Sequence, residues 1–437
     1  MNMNVRALMG ACALGLIAGG AMAETTITVA TVNNGDMIRM QGMMGDFYKL
    51  HPDIKVKWVT MEENVLRQKV TTDVATKAGQ YDVMTIGTYE VPIWAKQGWL
   101  VPLKFPASYD VNDLLPAIRK GLSYKGTLYA APFYGESSMT MYRTDLMKKA
   151  GLTMPEKPTW AFIKKAAKAM TDKKDGIYGI CLRGKAGWGE NIALITAMSN
   201  SFGARWFNEK WQPQFDTKPW KETLATYLDL MKNYGPPGAS SNGFNENLAL
   251  FQQGKCGMWI DATVAASFVT NPKDSKVAKD VGFAMAPHKQ GVDKDGNWLW
   301  SWALAIPAGT KKAKAAETFV EWATSKEYTE LVAKKDGWAN VPPGTRTSLY
   351  KNPDYAKVPF AEMTLKSIEK ADPEHPTVKP VPYVGVQFVA IPEFQGLGTA
   401  VGQQFSAALA GRETGAQALK NAQALTTREM SKAGYIK

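Results

Sequence analysis

Residues 24–90 switch repeatedly between the spacing of a strand and the spacing of a helix, and this alternation restricts the fold more than any other feature of the chain. Residues 25–32 are a β-branched run ending in Asn33-Asn34-Gly35-Asp36, after which Met40, Met44, Phe47 and Tyr48 share one helical face. His51-Pro52-Asp53 stops that helix. Ile54, Val56 and Trp58 then alternate with Lys55 and Lys57 as a half-buried strand, Leu66, Val70 and Val74 repeat at four-residue spacing, and Gly79 closes the second helix. Residues 81–87 form an apolar strand that ends in Thr88-Tyr89-Glu90. The order βαβαβ predicts a parallel sheet covered by helices. In open sheets of this kind ligands lie beyond the carboxyl ends of the strands, so the polar turns at 33–36 and 88–90 are expected to share one rim. Asp36 also suits a helix cap, and Asn33 or Asn34 a turn.

Beyond residue 124 the pattern renews itself. A hairpin around Lys125-Gly126 leads to a strand running into Phe133-Tyr134-Gly135-Glu136. A helix from Thr159-Trp160 follows, with Phe162, Ile163, Ala166, Ala167 and Met170 on one face, then a strand near 177–182. Another helix buries Trp220, Leu224, Tyr227, Leu228 and Met231, and a short helix at 245–253 leads to a strand at 256–260. This is a second α/β unit with its own core. A further strand at 300–306 and helices carrying Phe319 and Val320, and later Leu397, Val401, Phe405 and Leu409, complete the chain. With 437 residues, 45% of them hydrophobic and 21% charged, the chain suits two or three globular domains and not a disordered or fibrous protein.

The first 23 residues have the layout of a secretory signal peptide: Arg6, an apolar stretch over 7–17, and Ala21-Met22-Ala23, with cleavage expected after Ala23. The apolar run is shorter than the ~20 residues a membrane span requires, and lipid attachment at Cys12 is the weaker alternative. Cleavage would remove one positive charge from the formal +12. The Lys and Arg are spread along the chain, with Lys311-Lys312-Ala313-Lys314 the densest cluster, so the basic balance reads as a solvated surface and no nucleic-acid partner is expected. Three dispersed His and no C-x-x-C leave little material for a metal centre, and none is expected. Cys181 and Cys256 remain after export; an oxidising compartment permits a disulfide between them, and the sequence leaves it open.

Four ordered segments carry a family resemblance. Residues 124–132, Tyr-Lys-Gly-Thr-Leu-Tyr-Ala-Ala-Pro, are similar to a "G-K-L-Y-G-V-P" crossover strand, and residues 141–152 with Pro158-Thr159-Trp160 to "Y-N-x-D-L-F-K-K-A-G-L…P-T-W". Residues 251–258 resemble "F-x-x-G-K-A-A-M", and residues 408–419 a terminal "L-x-G-x-x-x-x-x-A-L". Together the chain resembles the extracellular solute-binding proteins of bacterial ABC importers, in the carbohydrate-binding group that includes maltose-binding protein. The stretch 85–99, the segment 133–137 and the strand at Trp298 look most like the sorbitol and mannitol binding branch. Arg143 and Ala161-Phe162 depart from the pattern, at positions that cap helices.

The resemblance implies an α/β two-lobe periplasmic binding protein fold of the class II type, each lobe a mostly parallel sheet flanked by helices, with the ligand cleft between lobes. Residues 24–131 and 303–341 would form one lobe, 132–302 and 342–437 the other, with hinges near 130–133 and Trp302. A periplasmic monomer is implied that closes on a polyol or small sugar and delivers it to membrane ABC permease subunits, with no cofactor.

A polyol presents hydroxyl groups on an aliphatic frame, so its site needs amide, carboxylate and guanidinium partners together with aromatic faces. By family position, Asp36, Thr88, Tyr89 and Glu136 fall where sugar contacts lie in the maltodextrin binders. Asp261 sits at the end of its strand, and Trp298, Trp300 and Trp302 alternate onto one side of theirs, as contacts or as core. Asn33, Asn34, Tyr134, Arg183, Trp188, Asn340 and Arg346 complete the candidate set. The alternative is a secreted glycoside hydrolase with Glu136 and Asp261 as its carboxylate pair; an adhesion protein is a third class. Enzyme motifs are poor: there is no G-x-S-x-G, residues 121–127 have the length of a phosphate loop without its Lys, and the glycines at 396 and 398 lack a correctly spaced third.

Overall fold

The computed structural model describes residues 24–436; the expected signal peptide and Cys12 lie outside them. Ten strands form three sheets: β1 (Thr25–Val32), β2 (Ile54–Met61), β3 (Val83–Gly87), β4 (Ser123–Tyr124), β5 (Thr127–Leu128), β6 (Ala130–Glu136), β7 (Ser138–Arg143), β8 (Met258–Ala262), β9 (Val281–Met285) and β10 (Trp300–Ala305). The first sheet has the order β2-β1-β3-β10-β6, the second β8-β7-β9, and β4-β5 is a small hairpin. The hairpin turn places Lys125 and Gly126 at φ 49° and 80°, the paired left-handed conformation that two-residue hairpins favour.

The βαβαβ reading holds for the first three strands: β1 pairs parallel with β2 and with β3. The expectation of two mostly parallel sheets needs correction. β10 runs antiparallel to both β3 and β6, and β7 is antiparallel to β8 and β9. The cause lies in the connections. β10 re-enters the first sheet after the chain has passed through the second, and β7 follows β6 with Ser137 alone between them. The strand expected at 177–182 is reduced to isolated parallel bridges, Tyr178 with Cys256 and Cys181 with Trp259.

The expected lobe boundaries at 131/132 and 302/303 fall inside β6 and β10, which pair with one another along Ala130–Glu136 and Trp300–Ala305. The chain passes from the first sheet to the second at Ser137. That residue is fully buried, and the Thr263 backbone N–H donates to its carbonyl at 2.7 Å. Helix Glu63–Thr76 follows β2 and buries Leu66, Arg67, Val70 and Val74; Glu62 caps it, accepting from the Asn64 and Val65 N–H groups. Helices Lys218–Tyr234, Phe394–Leu409 and Gly415–Lys432 pack together, with Trp220, Tyr227 and Phe405 fully buried among them. Among the described residues no helix is long and apolar enough to cross a membrane.

Candidate functional site

The strands of the first sheet deliver the floor of a cleft. Antiparallel register sets Trp300 opposite Glu136 and Trp302 opposite Tyr134, so the alternation read in the sequence puts an aromatic row beside a polar one. Gly87 lies against this row; a Cβ there would come within 2.0 Å of the Trp300 ring, so only glycine leaves the indole its place. Two cavities open above the floor, with about 540 and 350 Å³ of empty space. They are continuous through Glu63, Glu136, Arg183 and Trp302, which line both. The larger adds Asn33, Asn34, Tyr134, Lys185 and Glu190; the smaller adds Arg67, Trp188, Trp298 and Trp300.

Arg183 is held from behind. It donates to both Asp261 oxygens at 2.7–3.1 Å and to the Gly189 carbonyl at 3.0 Å, and lies 3.4 Å from Glu190. The parallel bridge between Cys181 and Trp259 explains the pairing: two residues further along, the same register brings Arg183 to Asp261. Cys181 and Cys256 form a disulfide that ties the Arg183 segment to the chain entering β8. Burial alone would lower the guanidinium, but Asp261, Glu190 and Glu63 hold it well above its ordinary value.

Arg67 is fixed in the same manner. It donates to Glu63 and, at 2.9 Å, to Glu90, which in turn accepts from the Gly87 N–H. Its guanidinium lies 4.0, 4.6 and 4.9 Å from the Trp188, Trp302 and Trp300 ring centroids, a cation–π cage that orients three indoles along the smaller cavity.

Glu136 is different. It is 6% exposed, lines both cavities and makes no side-chain hydrogen bond to any described residue, whereas Glu63 and Asp261 nearby are engaged by arginines. Burial pushes its carboxyl well above the usual range; Arg183 pulls it back, while Asp261, Glu63 and Asp36 push it further. Burial and then Glu63 likewise push Glu190 up to about 8, against the pull of Arg183 and Lys185. A buried carboxyl facing an open space without a protein donor is suited to accept hydrogen bonds from a guest. Asn34 and Tyr134 are joined by a 2.7 Å hydrogen bond at the cavity wall. Across the mouth, Lys185 pairs with Glu62 at 2.6 Å and the Asn245 amide donates to the Asn33 carbonyl at 3.3 Å.

Of the candidate residues, Asn33, Asn34, Tyr134, Glu136, Arg183, Trp188, Trp298, Trp300 and Trp302 line the cavities. The other six are not among the lining residues. Asp36 pairs with Arg39, which also donates to the Asn340 carbonyl and amide oxygens, so Asp36 and Asn340 are two ends of a brace. The helix cap assigned to Asp36 belongs to Asn34, which accepts from the Met37 N–H. Thr88 is buried with no partner for its hydroxyl. Tyr89 donates to the Ile391 carbonyl at 2.9 Å and packs on Trp188 at 4.6 Å, supporting that indole from behind. Asp261 is fully buried, and its oxygens are occupied by Arg183, the Trp259 indole N–H and the Ala262 N–H. Arg346 donates to the Asp110 and Thr324 carbonyls and stacks on Tyr109, remote from the cleft-lining set. The reading missed Glu62, Glu63, Arg67, Lys185, Glu190, Phe244, Asn245 and Gln387. Glu62 and Glu63 were accessible to it, since they stand just beyond the carboxyl end of β2, where the same rim rule applies.

A two-lobed α/β protein with a polar, aromatic-floored cleft is the architecture of a solute-binding protein, and comparison with known proteins agrees. Residues 34–330 match the model of the bacterial extracellular solute-binding protein family, and the chain belongs to that family. It is 57% identical over 440 residues to the mannitol-binding protein of Pseudomonas aeruginosa, with 100% of both chains covered. An ABC transporter solute-binding protein from Agrobacterium vitis S4, solved with bound D-mannitol, is 74% identical and superposes with a TM-score of 0.93, covering 94% of this chain and all of that one. One from Agrobacterium radiobacter K84 in complex with ribitol is 25% identical with a TM-score of 0.82, covering 93% and 99%. These are binding proteins, not enzymes. The structure gives the physical reason against hydrolysis: Asp261, wrapped in donors and shut from solvent, cannot activate a water for Glu136.

Proposed function

We propose that this chain is the periplasmic substrate-binding component of an ABC importer, and that it closes two lobes on an acyclic polyol of the mannitol type for delivery to membrane permease subunits. One lobe is built on the first sheet and the other on the second, joined where the chain crosses between them after β6 and before β10, and the protein acts as a monomer. The observation that carries the reading is Glu136: a buried carboxyl with no donor from the protein, beside Arg183 and a row of indoles. The carboxyl, Arg183 and the Asn34–Tyr134 pair serve hydroxyl groups, and Trp188, Trp300 and Trp302 cover the C–H faces between them. Micromolar affinity corresponds to about −8 kcal/mol, which several neutral bonds of about 0.5–1.5 kcal/mol and charged ones of about 1.5–3 kcal/mol supply only when they converge.

A thermal-shift screen over hexitols, pentitols and hexoses tests this. A cognate polyol at about 1,000 times its Kd stabilises the native state by about 4 kcal/mol. Absence of a shift with every polyol, or a shift with hexoses alone, would reject the assignment.

A further inference from the structure

The walls of the cleft hold more carboxyl groups than cations. Arg67, Arg183 and Lys185 are the cations, and each is already committed: Arg67 to Glu63 and Glu90, Arg183 to Asp261 at 2.7 Å, Lys185 to Glu62 at 2.6 Å. Glu136, Glu190 and Glu246 remain on the lining of the larger cavity. Glu246 spends one oxygen on the Gly243 N–H, and Glu190 has only the 3.4 Å approach of Arg183. Glu136, 6% exposed, has no hydrogen-bond or ion-pair partner among the described residues. Carboxyls this deeply buried are ordinarily paired. Here the missing partner has to come with the guest.

From this arrangement we propose that the cleft also takes cationic amino-polyols, acyclic chains in which a terminal hydroxyl is replaced by a protonated amine, with the ammonium seated at Glu136. The proposal rests on the polyol reading of the same site and adds a charge to its substrate class. An ammonium and a hydroxyl are nearly equal in size, so the chain keeps its contacts with the indole row while the hydroxyl's hydrogen bond to Glu136 becomes an ion pair, the cation favouring the ionised carboxylate that burial disfavours. The converse holds for sugar acids: a terminal carboxylate would meet the carboxyls of Glu136 and Glu190, and the described lining cations are already paired, so aldonates of the same length are excluded.

The test is titration calorimetry of the mature chain with three probes of one carbon skeleton, D-mannitol, 1-amino-1-deoxy-D-mannitol and D-mannonate, at neutral pH, repeated on Glu136→Gln and Glu190→Gln. The amino-polyol should bind within about tenfold of mannitol, and mannonate at least about 100-fold more weakly. Converting the charged acceptor to a neutral one should weaken the amino-polyol about tenfold more than it weakens mannitol. Glu190→Gln, which leaves Glu136 in place, should spare the amino-polyol and improve mannonate. If mannitol binds while the amino-polyol does not, or if Glu136→Gln weakens both equally, the proposal falls and the polyol reading stands. If none of the three binds the wild type, both fall together.

Discussion

Replacing Glu136 by alanine separates a contact made for the ligand from one made for the fold. Glu136 lines the cavity and makes no side-chain hydrogen bond to any described residue, so truncation breaks no native hydrogen bond. It also removes a buried carboxyl whose ionised form burial disfavours and Asp261, Glu63 and Asp36 disfavour further. The unliganded protein should therefore melt at the same temperature as wild type or higher. Binding should suffer. A carboxylate can take two adjacent hydroxyls of a polyol, and charge-assisted bonds contribute about 1.5–3 kcal/mol each. Loss of both is about 3–6 kcal/mol, or roughly 10²- to 10⁴-fold in Kd. Glu136→Gln, which keeps the shape and one acceptor, should lose about half as much. Calorimetry with D-mannitol gives the affinities, and differential scanning calorimetry without ligand gives the stabilities. An affinity within threefold of wild type for Glu136→Ala, or a fall of several degrees in the unliganded melting temperature, would show that this carboxyl serves the fold and not the guest.

Asp261→Ala should behave in the opposite way, since it strands a buried guanidinium: we expect a loss of about 3–5 kcal/mol in urea denaturation before any ligand is added. The double replacement Cys181→Ser with Cys256→Ser opens a covalent loop spanning a sequence separation of 75. It should cost about 2–4 kcal/mol of stability, and a reducing agent should bring wild type toward the same value while leaving the variant unmoved. Glu190 predicts a pH dependence. Its folded pKa of about 8 stands above its ordinary value of 4.5, so the folded state binds more protons than the unfolded one across that window. Stability of the unliganded protein should fall as pH rises from about 4.5 to 8, and Glu190→Gln should flatten the slope. Asp36, pushed up to about 6, adds a contribution of the same sign at the lower end. A wild-type profile that rises through this range would contradict the buried-carboxyl account.

The local periodicities settled much by themselves. Strand, turn and helix over residues 25–87 follow from β-branched runs, four-residue apolar spacing and the breaks at His51-Pro52 and Gly79, because hydrophobic period is a local property of the chain. The same locality put Trp300 and Trp302 on one side of a strand and Asn33 and Asn34 on a rim, and the ordered motifs pointed to the solute-binding family.

What local pattern cannot carry is who stands opposite whom. Strand direction in the second sheet depends on where the chain re-enters it. Asp261 looked like a rim contact at its strand end, yet a parallel bridge between segments 78 residues apart in sequence brings Arg183 onto it and consumes both its oxygens. Arg67 reads as one more buried face of a helix until Trp188, Trp300 and Trp302 converge on it from segments more than 100 residues away. Asp36 and Asn340 were both read as contacts, and only folding reveals Arg39 between them. Charge pairing acts through space at a few ångströms, so which carboxyl is satisfied and which is left for a guest is fixed only when the tertiary structure has spent its cations.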